Sequence, residues 1–247
     1  MFKPVVLVPV YNHEHAIGAM VDAILAHPVP CLLVDDGSTP ECATVLRDIA
    51  AANAGRISLV RLPENRGKGG AIMAGFVEAS RLGYTHALQI DADGQHDARC
   101  IPQFLTLAEA QPETVVCGYP IYDHSVPRLR LWARHLTHVW VWINSLSFAV
   151  RDSMCGLRVY PLPAVMALMH EARLGRRMEF DPEVMVRLVW RGVRVVNLPT
   201  PVTYPADGVS HFRAWRDNVL ISGMHTRLFF GMLWRLPRLM ARKLRFK

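Results

Sequence analysis

"HALQIDADGQHD", residues 86–97, changes character in the middle. Ala87–Ile90 is an apolar run of strand length, and it leads directly into Asp91, Asp93, Gln95 and His96. Two carboxylates at i and i+2 past a buried strand end can present one to a ligand and the other to a divalent cation. Oxygen donors suit Mg²⁺ or Mn²⁺, which keep several waters and take substrate phosphate oxygens. The pattern points to a site for a metal-held diphosphate, with Asp91, Asp93 and Gln95 as candidate ligands and Ala92 between them. A solvated loop or a helix cap also carries D-x-D. Zinc is disfavoured, because the histidines lack H-x-x-x-H spacing and no cysteine pair accompanies them.

The same design repeats outward from this stretch. Apolar strands are expected at 5–10, 31–34, 57–62, 85–90 and 115–118. Helices are expected between them: 15–26, one capped by Thr39 with Pro40 at its first position, one ending near Leu82-Gly83, and 98–110. Alternation of this kind implies an α/β fold with a mostly parallel central sheet and helices on both faces. Ligands in such sheets bind beyond the carboxyl ends of the strands. The polar clusters at 11–14, 35–38 and 91–97 all lie there.

Asp35 and Asp36 offer acceptors to a ribose or to the N–H groups of a base, and the segment Pro9, Tyr11 and Asn12, with Glu14 beyond it, completes that wall. An Asx turn into the next helix accounts for the same two residues. There is no G-x-G-x-x-G and no G-x-x-x-x-G-K-S/T. "NRGKGGA", 65–71, can wrap a ligand with Lys68 among its glycines and open a helix whose N-terminus favours negative charge; a flexible turn explains it equally.

The second half is less regular. One or two Trp-rich helices are expected over 128–150, then a loop to a strand at 152–160, and helices at 161–172 and 179–192. The last of these is expected to start at Asp181-Pro182 and to lead into a strand at 193–198. Arg158 can pair with phosphate bidentately. Asp152 and Glu183 are the candidate general bases for a hydroxyl acceptor. His211 and Arg213 are further candidates near the ligand; structural ion pairs explain each of these residues as well.

A chain of 247 residues, 51% hydrophobic and 20% charged, is one large domain or a domain with an extension. Five cysteines without C-x-x-C spacing make a disulfide framework unexpected and a reducing compartment the default. Neither a secretory signal nor a membrane-spanning run is expected, since 139–150 is too short and carries Asn144, Ser145 and Ser147. The net charge of +7 is local: Phe212–Lys247 holds nine basic residues and one acid, +8 in all, leaving −1 for the rest. In that tail Arg227, Arg235, Arg238, Arg242 and Arg245 fall near one helical face, with Leu228, Phe229, Leu233, Leu236 and Leu239 over much of the remainder. This reads as a helix lying on an anionic membrane, interrupted at Pro237, rather than as a nucleic-acid surface. A helix docked on the protein with a solvated basic face is the plainer reading.

Taken in order, these motifs resemble family 2 glycosyltransferases of the GT-A fold, in the style of dolichyl- and polyprenyl-phosphate sugar transferases. "VPVYNHE" is similar to the family's opening strand and turn, "VDDGS" to its nucleotide-binding motif, and "NRGKGGA" to its N-x-G-K-x-x-A segment. "DADGQH" is similar to its metal motif, "DSMCGLR" to its D-x-x-x-G-x-R, and "FDPE" to an acidic position on the following helix, here Glu183. The resemblance implies a GT-A domain over 1–212, divided at 120 into a nucleotide-sugar half and an acceptor half, with 213–247 as a basic helical tail. It implies an inverting, Mg²⁺- or Mn²⁺-dependent transfer from a UDP- or GDP-linked sugar to a lipid acceptor, polyprenyl phosphate or another membrane lipid. The enzyme would then sit in the cytoplasm against the inner face of the membrane. Polyprenyl-phosphate members carry an arginine in F-x-x-R-x-x-G-x-S; "TYPADGVSHF" places Pro205 there, with His211 and Arg213 close by. A sugar nucleotidyltransferase would need a basic residue in the loop Tyr11–Glu14, which has no lysine or arginine. A binding protein using the tail alone would leave six ordered motifs unexplained.

Overall fold

The computed structural model describes residues 1–122, 128–203 and 213–245. Seven strands form one sheet in the order β3-β2-β1-β4-β6-β5-β7. They are β1 (Pro4–Val10), β2 (Cys31–Asp35), β3 (Ile57–Arg61), β4 (His86–Gln89), β5 (Val115–Tyr122), β6 (Arg158–Pro161) and β7 (Val195–Val202). β1 is central to the nucleotide half, pairing in parallel with β2 and β4. The sheet is mostly parallel, as expected; the exception is β6, which runs antiparallel to both β4 and β5. β6 starts at the edge where β4 ends, with Arg158 opposite Gln89, so α5 and its loop return the chain to the same edge, which local composition does not encode.

Helices cover both faces. Two apolar clusters lie on opposite sides of the sheet, because alternate strand residues point opposite ways: Val6, Val8 and Val10 to one, Val5 and Leu7 to the other. The first cluster is closed by α1 (Ile17–Leu25), α2 (Pro40–Ala52) and α4 (Ile101–Ala110). The second is closed by α3 (Lys68–Arg81), α6 (Leu162–Glu171), α7 (Phe180–Arg191) and α8 (Ala214–Arg245), with Val141 of α5 (Arg128–Ser145). Thr39 caps α2 through its hydroxyl, which accepts from the Cys42 N–H, with Pro40 at the first position, as its sequence signature requires. Gly75 lets α3 lie flush on the sheet, since a Cβ there would stand 2.1 Å from Leu7 Cδ1.

Two local expectations change. α7 starts at Phe180, so Asp181 and Pro182 lie inside its first turn. α8 is continuous through Pro237. The region 128–150 holds one helix, ending at Ser145, within the one or two expected. α8 also buries Asp217, Ile221, Met224, Leu228, Met232 and Leu239, most of them in the same core as α3 and α7, so the tail is joined to the domain. Residues 204–212, which include Pro205, His211 and the expected boundary at 212, lie outside the described residues.

Candidate active site

The strand ends bring Asp35, Asp36, Asp91 and Asp93 to one edge of the sheet. Asp91 follows β4 and is tied to α3 and α7 by a single lysine: Lys68 Nζ lies 2.8 Å from Asp91 Oδ2 and 2.9 Å from Asp181 Oδ2. Burial pushes the Asp91 carboxyl upward, but the Lys68 charge outweighs it and holds the group below its ordinary range. The reciprocal effect of Asp181 and Asp91 raises Lys68 despite its burial, so it is an ammonium. Asp93 is different. Burial, then the neighbouring Asp91 carboxylate, raises it to about 6, while the Gln95 N–H donates to its Oδ1 at 3.1 Å.

Two carboxylates that repel each other are where a cation is welcome. Asp91 Oδ1 is buried without a hydrogen-bond partner, an open acceptor beside Asp93. Among the described residues no group of three His, Cys, Asp or Glu side chains converges on one point. That donor set suits a hard ion completed by water and phosphate oxygens and does not suit zinc. Gln95 is half-buried; its backbone carbonyl accepts from the Thr203 N–H at 3.2 Å.

Asp35 and Asp36 are already engaged by protein partners. Asp36 accepts from the Arg66 N–H at 2.7 Å, the Gly67 N–H at 2.8 Å and Asn65 Nδ2 at 3.0 Å. Burial still raises it to about 6. Asp35 accepts from the Ser38 N–H at 2.8 Å and pairs with Arg61. The pair therefore holds the 61–67 segment against the sheet. Asn12 has φ +53° and locks the opposite side: its N–H donates to Ser38 Oγ at 3.1 Å and its Oδ1 accepts from the Thr39 N–H at 2.9 Å. Pro9 and Tyr11 are half-buried at the end of β1, and Glu14 has one buried, unpartnered carboxylate oxygen.

The glycines of "NRGKGGA" face protein. A Cβ on Gly67 would meet the Arg176 carbonyl at 2.6 Å, and one on Gly69 would meet Phe180 Cβ at 2.4 Å. The Gly70 N–H donates to Arg176 O at 2.8 Å. Close backbone approach is the correct reading, but the segment 175–180 is what approaches, and it covers the α3 N-terminus.

Arg158 lies beneath the site instead of gripping phosphate across it. Its side chain is 0% exposed, and Nη1 donates to Tyr160 Oη and to the Asp181 carbonyl, both at 3.0 Å. Glu183 is buried; it accepts from the Gly175 N–H at 2.8 Å and pairs with Arg187 at 2.8 Å. The acid that α7 turns toward Lys68 is Asp181, two residues before the one chosen from sequence. Asp181-Pro182 reads as a helix start, which hid it.

Asp152 is clamped. Arg134 donates to both its oxygens at 2.6 and 2.7 Å, His138 Nε2 lies 3.2 Å away, and the Met154 N–H donates at 2.8 Å. Burial pushes its carboxyl up, but the His138 hydrogen bond and the Arg134 charge hold it far below the usual range. Arg134 and His138, one turn apart on α5, escaped the sequence reading. The spacing R-x-x-x-H before D-x-x-x-G was their signal. The clamp positions Gly156, whose N–H donates to His96 Nε2 at 3.2 Å; burial lowers His96 to about 4, so it is neutral. Arg213 is exposed, and its N–H donates to Asp217 at 2.7 Å. His211 falls outside the described residues.

The chain is similar to several known proteins. An uncharacterised protein of Methanocaldococcus jannaschii is 27% identical over 213 residues, 84% of this chain and 91% of that one. The polyprenol monophosphomannose synthase of Mycolicibacterium smegmatis is 25% identical over 214 residues, 84% of this chain and 80% of that one. The undecaprenyl-phosphate 4-deoxy-4-formamido-L-arabinose transferase of Pectobacterium carotovorum is 32% identical over 171 residues, 67% of this chain but only 50% of its own length. In fold, the glucosyl-3-phosphoglycerate synthase of Mycobacterium tuberculosis, solved with Mn²⁺ and UDP-glucose, superposes with a TM-score of 0.66 at 15% identity, over 94% of this chain and 79% of that one. The fold is GT-A. The model of the family described as "Glycosyl transferase family 2" matches residues 5–172, and the chain belongs to that family.

Proposed function

We propose that this transferase moves a sugar from a nucleoside diphosphate sugar to a lipid that carries an ionised phosphate, with inversion at the anomeric carbon. The observation that carries the reading is the state of the two candidate bases. Asp152 is saturated by Arg134, His138 and a backbone N–H, and its low proton affinity makes it a poor base. Glu183 is buried against Arg187. A hydroxyl acceptor needs a group to take its proton; a phosphate acceptor arrives without one. The names of the polyprenol and undecaprenyl-phosphate relatives agree.

In this reading Asp35 and Asp36 shape the nucleoside wall with Pro9, Tyr11, Asn12 and Glu14. Asp93, with Asp91 and Gln95, holds Mg²⁺ or Mn²⁺, and Ala92 lets the backbone between them approach the donor. An ion held there would neutralise the charge of the diphosphate. Lys68 keeps Asp91 ionised and fixed, and Arg158 supports it from below through Asp181. His211 and Arg213 belong to the acceptor side.

The lipid reaches the site along a membrane surface. The outer side of α8 carries exposed Trp215, Val219, Phe230, Leu233, Met240 and Leu244 at helical intervals, with Trp234 86% exposed beside them. Arg216, Arg227 and Arg238 flank this stripe; they suit anionic headgroups and oppose pairing with a second copy. Arg235 and Arg242, expected at phosphate level, are turned inward onto Trp190 and the end of α7. Among the described residues no helix is long and apolar enough to cross a membrane. We place the protein peripherally, at the inner face of the cytoplasmic membrane.

The test is transfer from UDP- and GDP-sugars with Mn²⁺ to polyprenyl phosphate and, separately, to the matching polyprenol. Product from the phosphate alone is expected. Equal rates on the alcohol would overturn the reading.

A further inference from the structure

We propose that Asp181 is a positioning residue which, by sharing Lys68 with Asp91, offsets part of the lysine's positive charge and leaves Asp91 Oδ1 open to a divalent cation. The inference rests on Asp91 and Asp93 being the cation site, and adds a residue that no motif assigned to it.

Lys68 Nζ stands almost equally far from the two carboxylates, 2.8 Å from Asp91 and 2.9 Å from Asp181. Asp181 is itself built in. It is 5% exposed, its Oδ1 faces Gln89 Nε2 at 3.4 Å and Arg158 Nη1 at 3.5 Å, and its carbonyl takes the same Arg158 nitrogen. Gln89 and Arg158 are directly opposed in the β4–β6 ladder, so the sheet sets the position of Asp181. The charges are ordered from the core outward: Arg158, Asp181, Lys68, Asp91, Asp93.

Without Asp181, Lys68 would spend its whole charge on Asp91. The outermost pair would then present one net negative charge less to an incoming cation. Each charge matters strongly here, because Lys68 and Asp91 are four-fifths buried and poorly screened. With Asp181 in place, half of Lys68 is answered from behind and Asp91 Oδ1 stays free. Asp181 reaches Asp91 through the Lys68 ammonium that bridges them.

The experiment measures Mn²⁺ binding to the full chain by electron paramagnetic resonance, with the metal alone and then with a nucleoside diphosphate. Asp181→Asn keeps the shape and removes the charge; about tenfold weaker Mn²⁺ binding is expected. Asp181→Glu restores the charge and should recover most of the loss. In a Lys68→Gln background, Asp181→Asn should change little, because the intermediary is gone. Lys68→Gln alone should tighten Mn²⁺, which keeps the idea testable if Asp181→Asn fails to fold. Wild-type affinity in Asp181→Asn, no recovery in Asp181→Glu, or unchanged or weaker binding in Lys68→Gln overturns the role of Asp181 and leaves the cation site intact. Wild-type protein that takes up no Mn²⁺ overturns both.

Discussion

Gly156→Ala puts the geometry of the site to a direct test. A Cβ at residue 156 would stand 2.0 Å from Asp91 Oδ2 and 2.4 Å from Asp91 Cγ, distances that real atoms do not share. One side has to yield. The loop cannot easily do so: the Gly156 N–H is held by His96, and Asp152, four residues earlier, is clamped by Arg134 and Met154 N–H. Asp91 is therefore expected to rotate and carry Oδ1 away from the cation. The lost ion contact is taken at the scale of a charge-assisted hydrogen bond, roughly 1.5–3 kcal/mol. At about 1.4 kcal/mol per decade, affinity for Mn²⁺ plus a nucleoside diphosphate should fall about ten- to a hundredfold. The forced fit should also cost stability, about 1–3 kcal/mol. Calorimetric titration and thermal melting measure the two. Affinity within twofold of wild type, with an unchanged melting temperature, would refute the claim that Gly156 exists to admit Asp91.

Arg242→Ala should lower stability by roughly 1–3 kcal/mol in urea unfolding, because Arg242 donates to the carbonyls of Trp190 and Val189 at 3.0 and 2.6 Å and caps α7; an interfacial arginine would leave stability unchanged and weaken vesicle binding instead. His225, buried between α5 and α8 beside Asn144, is lowered to about 4 by burial. The unfolded chain takes up this proton near pH 6.5 and the native state does not, so stability should decline as pH falls from 6.5 toward 4. His225→Phe should flatten that part of the profile, and an identical slope in the variant would rule the group out.

Much of the fold was readable because its signals are local. Apolar runs of strand length ending in Asp-rich turns, and Thr39-Pro40 ahead of a helix, are statements about neighbouring residues, and the ordered motifs pointed to the family. Partner choice was not readable. Asp181 and Glu183 are both acids on one helix turn; Glu183 pairs with Arg187 one turn on in the same helix, whereas only the packing of α7 turns Asp181 toward Lys68. Arg158 resembles a phosphate ligand by type and is an internal strut by position.

The tail shows the same division. Its sequence established a helix with more apolar surface than one docking face needs and a local excess of positive charge. Tertiary structure decided which leucines are core and which arginines are caps, and left Trp215, Phe230 and Trp234 facing outward. Periodicity specifies how residues are arranged around an axis, whereas the rotation of that axis is set by what it meets: Gly231, where a Cβ would stand 3.0 Å from the Trp190 ring, and the carbonyls at the end of α7.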